Sequence, residues 1–175
     1  MYLKDRVTDP VGVDVSESML AVARRDAPDA RFVEADLTRD DPIVGSEFRM
    51  ITAFRFFPNA EPPLRAGAIQ AIIRHLHPDG IFVFNNHLNT TSLMRRIGRF
   101  LGRLKGRSMS HDEVVNMVEG AGLTIMRTYS LGLLPMNDRL MLRPVAAALA
   151  IENLMSRLFN FPTLAQDIVY VCRRS

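Results

Sequence analysis

A single cysteine, Cys172, among 175 residues excludes an internal disulfide, and its place in a closing apolar run reads as packing in a reducing compartment. No stretch approaches the roughly 18 uninterrupted apolar residues that a spanning helix needs, and the start lacks the charged-then-apolar pattern of a secretory signal. These absences point to a cytoplasmic protein, with contact at a membrane surface left open. There are no internal repeats and no low-complexity linker. Met1 to Pro10 contains no glycine. What is present is ordinary for one globular core: 47% hydrophobic residues in 175 positions predict a single domain. The formal charge of +3 is slight for a nucleic-acid binder, and none is expected as a partner.

The run Val11-Gly12-Val13-Asp14 is a short apolar strand that stops on an acid, and a helix start follows through Ser16-Glu17-Ser18-Met19-Leu20. A second strand, Ala30 to Ala35, ends on Asp36-Leu37. Between them is room for one helix, Ser16 to Asp26, stopped at Ala27-Pro28-Asp29 because proline cannot continue it. In open α/β sheets ligands lie across the carboxyl ends of the strands, where an acid accepts both hydroxyl protons of a ribose. Asp14 stands where that acceptor belongs, and Asp36 is expected beside it on one rim. A plainer role for Asp14 is support of the next helix's first turn, where negative charge is favoured.

Strands and helices continue to alternate. Phe48 to Ala53 reads as a strand, Pro63 to His77 as a helix, and Pro78-Asp79-Gly80 as the turn into a strand over Ile81 to Asn85. Ser110-His111-Asp112-Glu113 has the spacing of a capping box, opening a helix that runs to Glu119. Leu123 to Leu131 and Gln166 to Arg173 read as strands, and Arg139 to Leu158 as a helix. The segment Leu93 to Arg107 carries six basic residues and no acid, with apolar residues at helical spacing. It suits an anionic membrane surface or a phosphate-bearing substrate, or simply a solvated helix face.

In the order and spacing of Val11 to Leu20, Ala35-Asp36-Leu37, Phe48 to Phe57 and His77-Pro78-Asp79-Gly80, the chain resembles a class I S-adenosylmethionine-dependent methyltransferase. The resemblance extends from near residue 10 to the end. It implies a Rossmann-like, doubly wound α/β fold, a mostly parallel sheet with helices on both faces, incomplete at the amino terminus. It implies S-adenosyl-L-methionine as cofactor. Asp14, with Val15 beside it, would hold the ribose; Asp36 would take the adenine amine and the backbone of Leu37 would face the ring; Ala53 and Phe54 would line the pocket.

The family's opening strand and glycine-rich loop have no counterpart in Met1 to Pro10. Gly98, Gly102 and Gly106 recur every four residues, a small helix face rather than a ligand-binding turn. Losing about three charge-assisted hydrogen bonds at roughly 1.5 kcal/mol each costs on the order of a thousandfold in affinity, so this chain alone is expected to bind the cofactor weakly or not at all. The missing strand would also leave two backbone edges open to self-association, unless the strands on either side of it pair with each other.

A sulfonium methyl is already activated, so positioning supplies most of the acceleration, and a base is needed only for a hydroxyl or protonated amine acceptor. His87, at the rim beside Asn85 and Asn86, is the candidate base, and Arg55 the candidate anchor for a carboxylate or phosphate on a small-molecule or glycan-like acceptor. His75 and His77 fall on different faces and do not suit a metal; His111 belongs to the helix cap. Two alternatives remain. A short-chain dehydrogenase would need Tyr-x-x-x-Lys, and none of Tyr2, Tyr129 or Tyr170 provides it. A non-catalytic binding or regulatory domain would have kept the sheet without the glycine loop.

Overall fold

The computed structural model describes residues 7–39, 47–87, 89–92, 95–96, 100, 108–132, 150–151, 154 and 161–175. Most of the basic segment Leu93 to Arg107, most of the helix expected over Arg139 to Leu158, and the start of the glycine-free Met1 to Pro10 lie outside them. The chain divides into two compact units, residues 1–46 and 47–175.

In the first unit, β1 (Val11–Asp14) and β2 (Arg31–Glu34) pair in parallel, with Gly12 opposite Phe32 and Asp14 opposite Glu34. A Cβ on Gly12 would come within 2.7 Å of the Phe32 ring, so the glycine lets the aromatic lie across the pair. Helix α1 (Glu17–Asp26) connects them. Ser16 caps it by accepting from the Met19 N–H at 3.4 Å, Glu17 opens it and Arg24 and Arg25 close it, each charge complementing the dipole. Leu20 is its buried anchor.

The second unit is a four-stranded sheet in the order β3 (Phe48–Ala53), β4 (Leu76–Asn86), β6 (Asp167–Arg174), β5 (Leu123–Leu131). Strands β3 and β4 are parallel, whereas β6 runs antiparallel to both its neighbours. The expected α/β class holds, with a sheet that is mixed rather than mostly parallel. The alternation of Asp167 to Arg174 marks a strand without marking its direction.

Strand β4 starts earlier than its sequence suggests. Phe48 pairs with Leu76 and Met50 with Ile81, so His77 to Gly80 bulge out of the ladder. The excursion closes on Gly80, where a Cβ would sit 2.9 Å from the carbonyl oxygens of both His77 and Phe48. Helix α2 (Pro62–His75) begins with proline in its first turn, and α3 (His111–Gly120) has the full capping box between Ser110 and Glu113.

Both helices contribute to one core. Ile69 and Ile72 of α2 and Val114 and Val118 of α3 pack with Phe57, Phe82, Phe84, Ile168, Tyr170 and Cys172. The rings of Phe82, Phe84 and Tyr170 stack across β4 and β6 at 4.9 and 5.0 Å between centroids. Cys172 is fully enclosed, and burial pushes its thiol up to about 12, so it behaves as packing. Val83, Asn85, Val169 and Val171, on the opposite face of the sheet, are half-buried. Among the described residues, no helix is long and apolar enough to cross a membrane.

Candidate functional site

The rim of the first unit is built by two parallel strands ending together. Asp14, exposed at the end of β1, accepts the Ser16 N–H on Oδ1 at 2.9 Å. The carboxylate therefore does help start α1, as the plainer reading holds, and from there it stands at the strand tip. The residue directly opposite it is Glu34, not Asp36. The Ala35 N–H donates to the Asp14 carbonyl at 3.1 Å, and Asp36 follows in the turn beyond β2. Asp36 Oδ1 accepts the Thr38 hydroxyl at 2.6 Å and the Thr38 N–H at 2.9 Å, while Oδ2 lies 3.5 Å from Arg39 Nε. These bonds, the hydroxyl's foremost, hold its carboxyl below the ordinary value.

Three carboxylates thus share this end of β1 and β2, with Asp14 and Glu34 in direct opposition. Like charges facing across a ladder are unfavourable, and a ligand offering hydroxyl and amine protons would relieve them. Val15 is 66% exposed although apolar, and Leu37 is half-buried. The donor set fits the nucleoside half of S-adenosylmethionine: paired acceptors for a ribose, a fixed acid for an amine, and apolar surface for a base. Glu34 was legible as an acid near a strand end; its place opposite Asp14 needed the register.

In the second unit, β3 ends at Ala53, and Phe54 follows with 56% of its surface exposed. Arg55 adopts φ = 61°, a left-handed conformation that a side chain with a Cβ rarely takes. It is held there from both sides: its N–H donates to Asn85 Oδ1 at 2.7 Å, and its carbonyl accepts from Asn59 Nδ2 at 2.7 Å. Arg55 is exposed on this turn, and Asn85 is the turn's support rather than a bystander.

His87, half-buried, follows the last residue of β4. Its carbonyl accepts the Ser108 hydroxyl at 3.1 Å, and its Nδ1 is closed off without a hydrogen-bond partner among the described residues. Burial lowers its basicity, the Arg55 charge lowers it further, and the Asp167 carboxylate acts in the opposite sense. The structure therefore brings Arg55 and His87 within electrostatic reach of each other and adds Asp167, which sequence reasoning missed.

The other histidines are accounted for elsewhere. His77 Nδ1 accepts the Asp79 N–H at 3.1 Å, His75 is buried in α2, and His111 shares a 2.9 Å hydrogen bond with the buried Tyr170 hydroxyl. No cluster of three metal-ligating side chains occurs among the described residues. A cavity of about 490 Å³ lined by Pro78, Gly80, Met126 and Arg174 sits at the start of β4, at the far end of that strand from His87.

The first 80 residues match the family model described as "Methyltransferase domain", a span that holds Asp14, Asp36 and Arg55 and stops short of His87. No curated protein matches the chain. Among solved structures, it is similar to a TehB-like SAM-dependent methyltransferase from Corynebacterium glutamicum, with 20% identity and a TM-score of 0.65 over 99% of this chain and 72% of that one. It is similar to an S-adenosylmethionine-dependent methyltransferase from Clostridium acetobutylicum, with 12% identity, a TM-score of 0.66, and 99% and 78% of the two chains covered. It is also similar to the N-methyltransferase NodS from Bradyrhizobium japonicum, solved with S-adenosyl-L-homocysteine, with 13% identity, a TM-score of 0.59, and 95% and 66% covered. With that family match over its first 80 residues and the shared architecture along nearly its whole length, this is a protein of the class I S-adenosylmethionine-dependent methyltransferase fold.

Proposed function

We propose that the chain binds S-adenosyl-L-methionine and transfers its methyl group to an oxygen or nitrogen of a small-molecule or glycan-like acceptor. The observation that carries this is the end of β1 and β2: Asp14 exposed at a strand tip and Asp36 fixed by Thr38, inside the segment that matches a methyltransferase domain. Asp14 would accept the ribose hydroxyls and Asp36 the adenine amine, with Val15 and Leu37 against the base.

The bound cofactor supplies a methyl group already activated by sulfonium charge, so the protein's task is alignment. Arg55, on its strained turn, would hold an anionic group of the acceptor, and His87 would take the proton from the attacking heteroatom. Burial lowers the basicity of the His87 imidazole and so favours the neutral form that a base needs.

Calorimetric titration with S-adenosylhomocysteine tests the reading. Wild type is expected to bind, and Asp14→Asn to bind about 10- to 100-fold more weakly, since a hydrogen bond to a charged group contributes roughly 1.5–3 kcal/mol. Absence of binding by wild type, with tight binding of a nicotinamide nucleotide, would overturn it.

A further inference from the structure

We propose that Asp167 is a positioning residue for His87 that acts through its charge, balancing the positive charge that the imidazole acquires when it takes a proton from the acceptor. This rests on the reading of His87 as the acceptor's base. The argument begins with register. Asn85 pairs with Val169 and Asn86 with Ile168, the last pair of that ladder, so His87 and Asp167 are the next residues along the two chains, one entering the turn beyond β4 and the other opening β6.

The segment beyond the ladder is locked to this arrangement by Asn89, which is fully buried. Its N–H donates to the Gln166 carbonyl at 2.8 Å, and its Nδ2 donates to the carbonyls of Pro162 at 2.9 Å and Ala165 at 3.0 Å. Its Oδ1 accepts from the Thr91 N–H and hydroxyl. One side chain thus ties the turn after His87 to the residues that lead into Asp167. Ser108 holds the His87 carbonyl from another direction.

Two charged groups act on the ring from neighbouring elements, Arg55 beyond β3 and Asp167 at the start of β6, with opposite signs. Since Nδ1 is enclosed, Nε2 is the nitrogen left to exchange a proton. The acceptor's O–H or N–H proton passes to that nitrogen as the heteroatom's electron pair forms the new bond to the methyl carbon. The carbon–sulfur electron pair remains on sulfur, and the imidazolium, stabilised by the Asp167 carboxylate, then releases its proton to solvent.

The test is a pH titration of the His87 imidazole by NMR in the full chain, its signals identified by their loss in His87→Gln. Asp167→Asn is expected to lower the titration midpoint, Asp167→Glu to keep it near wild type, and Arg55→Gln to raise it. A midpoint unmoved in Asp167→Asn overturns the proposal. Should that variant fold poorly, a midpoint in Asp167→Glu displaced as far as that of Asp167→Ser overturns it equally, because charge would then be irrelevant. With an acceptor in hand, Asp167→Asn is expected to lower kcat about tenfold or more with KM little changed. An unchanged kcat would overturn the positioning role. If the titration shifts as expected while no variant and no wild type transfers methyl groups, the methyl-transfer reading fails and the His87–Asp167 pairing stands.

Discussion

The two units solve different problems with different amounts of protein. In the first, the described buried apolar residues are Leu20 and Ala27, and Asp14 and Asp36 are exposed or half-buried, held by hydrogen bonds to residues two positions away. In the second, a continuous core of aromatic rings and branched side chains surrounds β4 and β6, and His87 and Arg55 depend in part on partners 30 or more residues distant in sequence. Presenting a carboxylate to a ribose asks only for a strand end and a turn. Tuning an imidazole asks for burial and for charges delivered from other strands.

The largest effect should come from the heavier core. Phe84→Ala removes a fully buried ring in contact with Phe57, Phe82 and Tyr170, and is expected to cost about 3–5 kcal/mol in urea denaturation. Leu20→Ala, whose surroundings can collapse more easily, should fall near the lower limit for its kind, about 2 kcal/mol. Equal losses would show that the first unit is packed as tightly as the second.

Next in size is the division of labour between the rims. Asp14→Asn keeps an oxygen to accept the Ser16 N–H while removing the charge, so α1 should persist as S-adenosylhomocysteine affinity falls about 10- to 100-fold. His87→Gln should leave that affinity within about twofold, since the proposed role of His87 is toward the acceptor and not the nucleoside. A comparable loss in both variants would mean that the two rims do not divide nucleoside and acceptor.

The same contrast explains what could be read from the sequence. The places of Asp14 at a strand end and of Asp36 just beyond one were legible because each follows from its own strand and the helix or turn after it. The limits of β3 and β5 and the Ser110 capping box were legible for the same reason. Asp167 was not, since it looks like the first residue of an apolar run until β6 is known to lie antiparallel beside β4. Nor was the early start of β4, which depends on Gly80 letting the chain bulge against the Phe48 carbonyl. Glu34 came to face Asp14 through register, and a shift of two residues moved Asp36 into the turn. Where a role is created by pairing, single-strand patterns carry no mark of it.

A smaller difference separates the helix starts. Ser110 accepts the Glu113 N–H at 3.1 Å while Glu113 accepts the Ser110 N–H at 2.7 Å, whereas the Ser16 hydroxyl reaches Met19 only at 3.4 Å with no reciprocal bond. Ser110→Ala should cost about 1 kcal/mol and Ser16→Ala a few tenths, both read from denaturation midpoints. Asp14, which already takes the Ser16 N–H, supplies part of what a capping box would.

Acidification should separate the units by direction rather than by size. Burial is the first cause lowering both His87 and His111 from the ordinary 6.5, so between that value and their folded ones the unfolded chain holds more protons. Their contribution to stability is complete above about 6.5 and is lost as pH falls through that value. Asp36 is also lowered, but from 3.8 and by its bonds to Thr38, so what it adds is present above 3.8 and is lost only in stronger acid. Urea titrations followed by backbone NMR at pH 7.5, 5.5 and 4.5 should show the midpoint of β4 and β6 falling first, with β1 and β2 steady over the same range. His111→Gln should flatten the first decline without touching the second. Midpoints that fall together at every pH would show that the two units unfold as one, and the separation drawn between them would then hold for their chemistry and not for their stability.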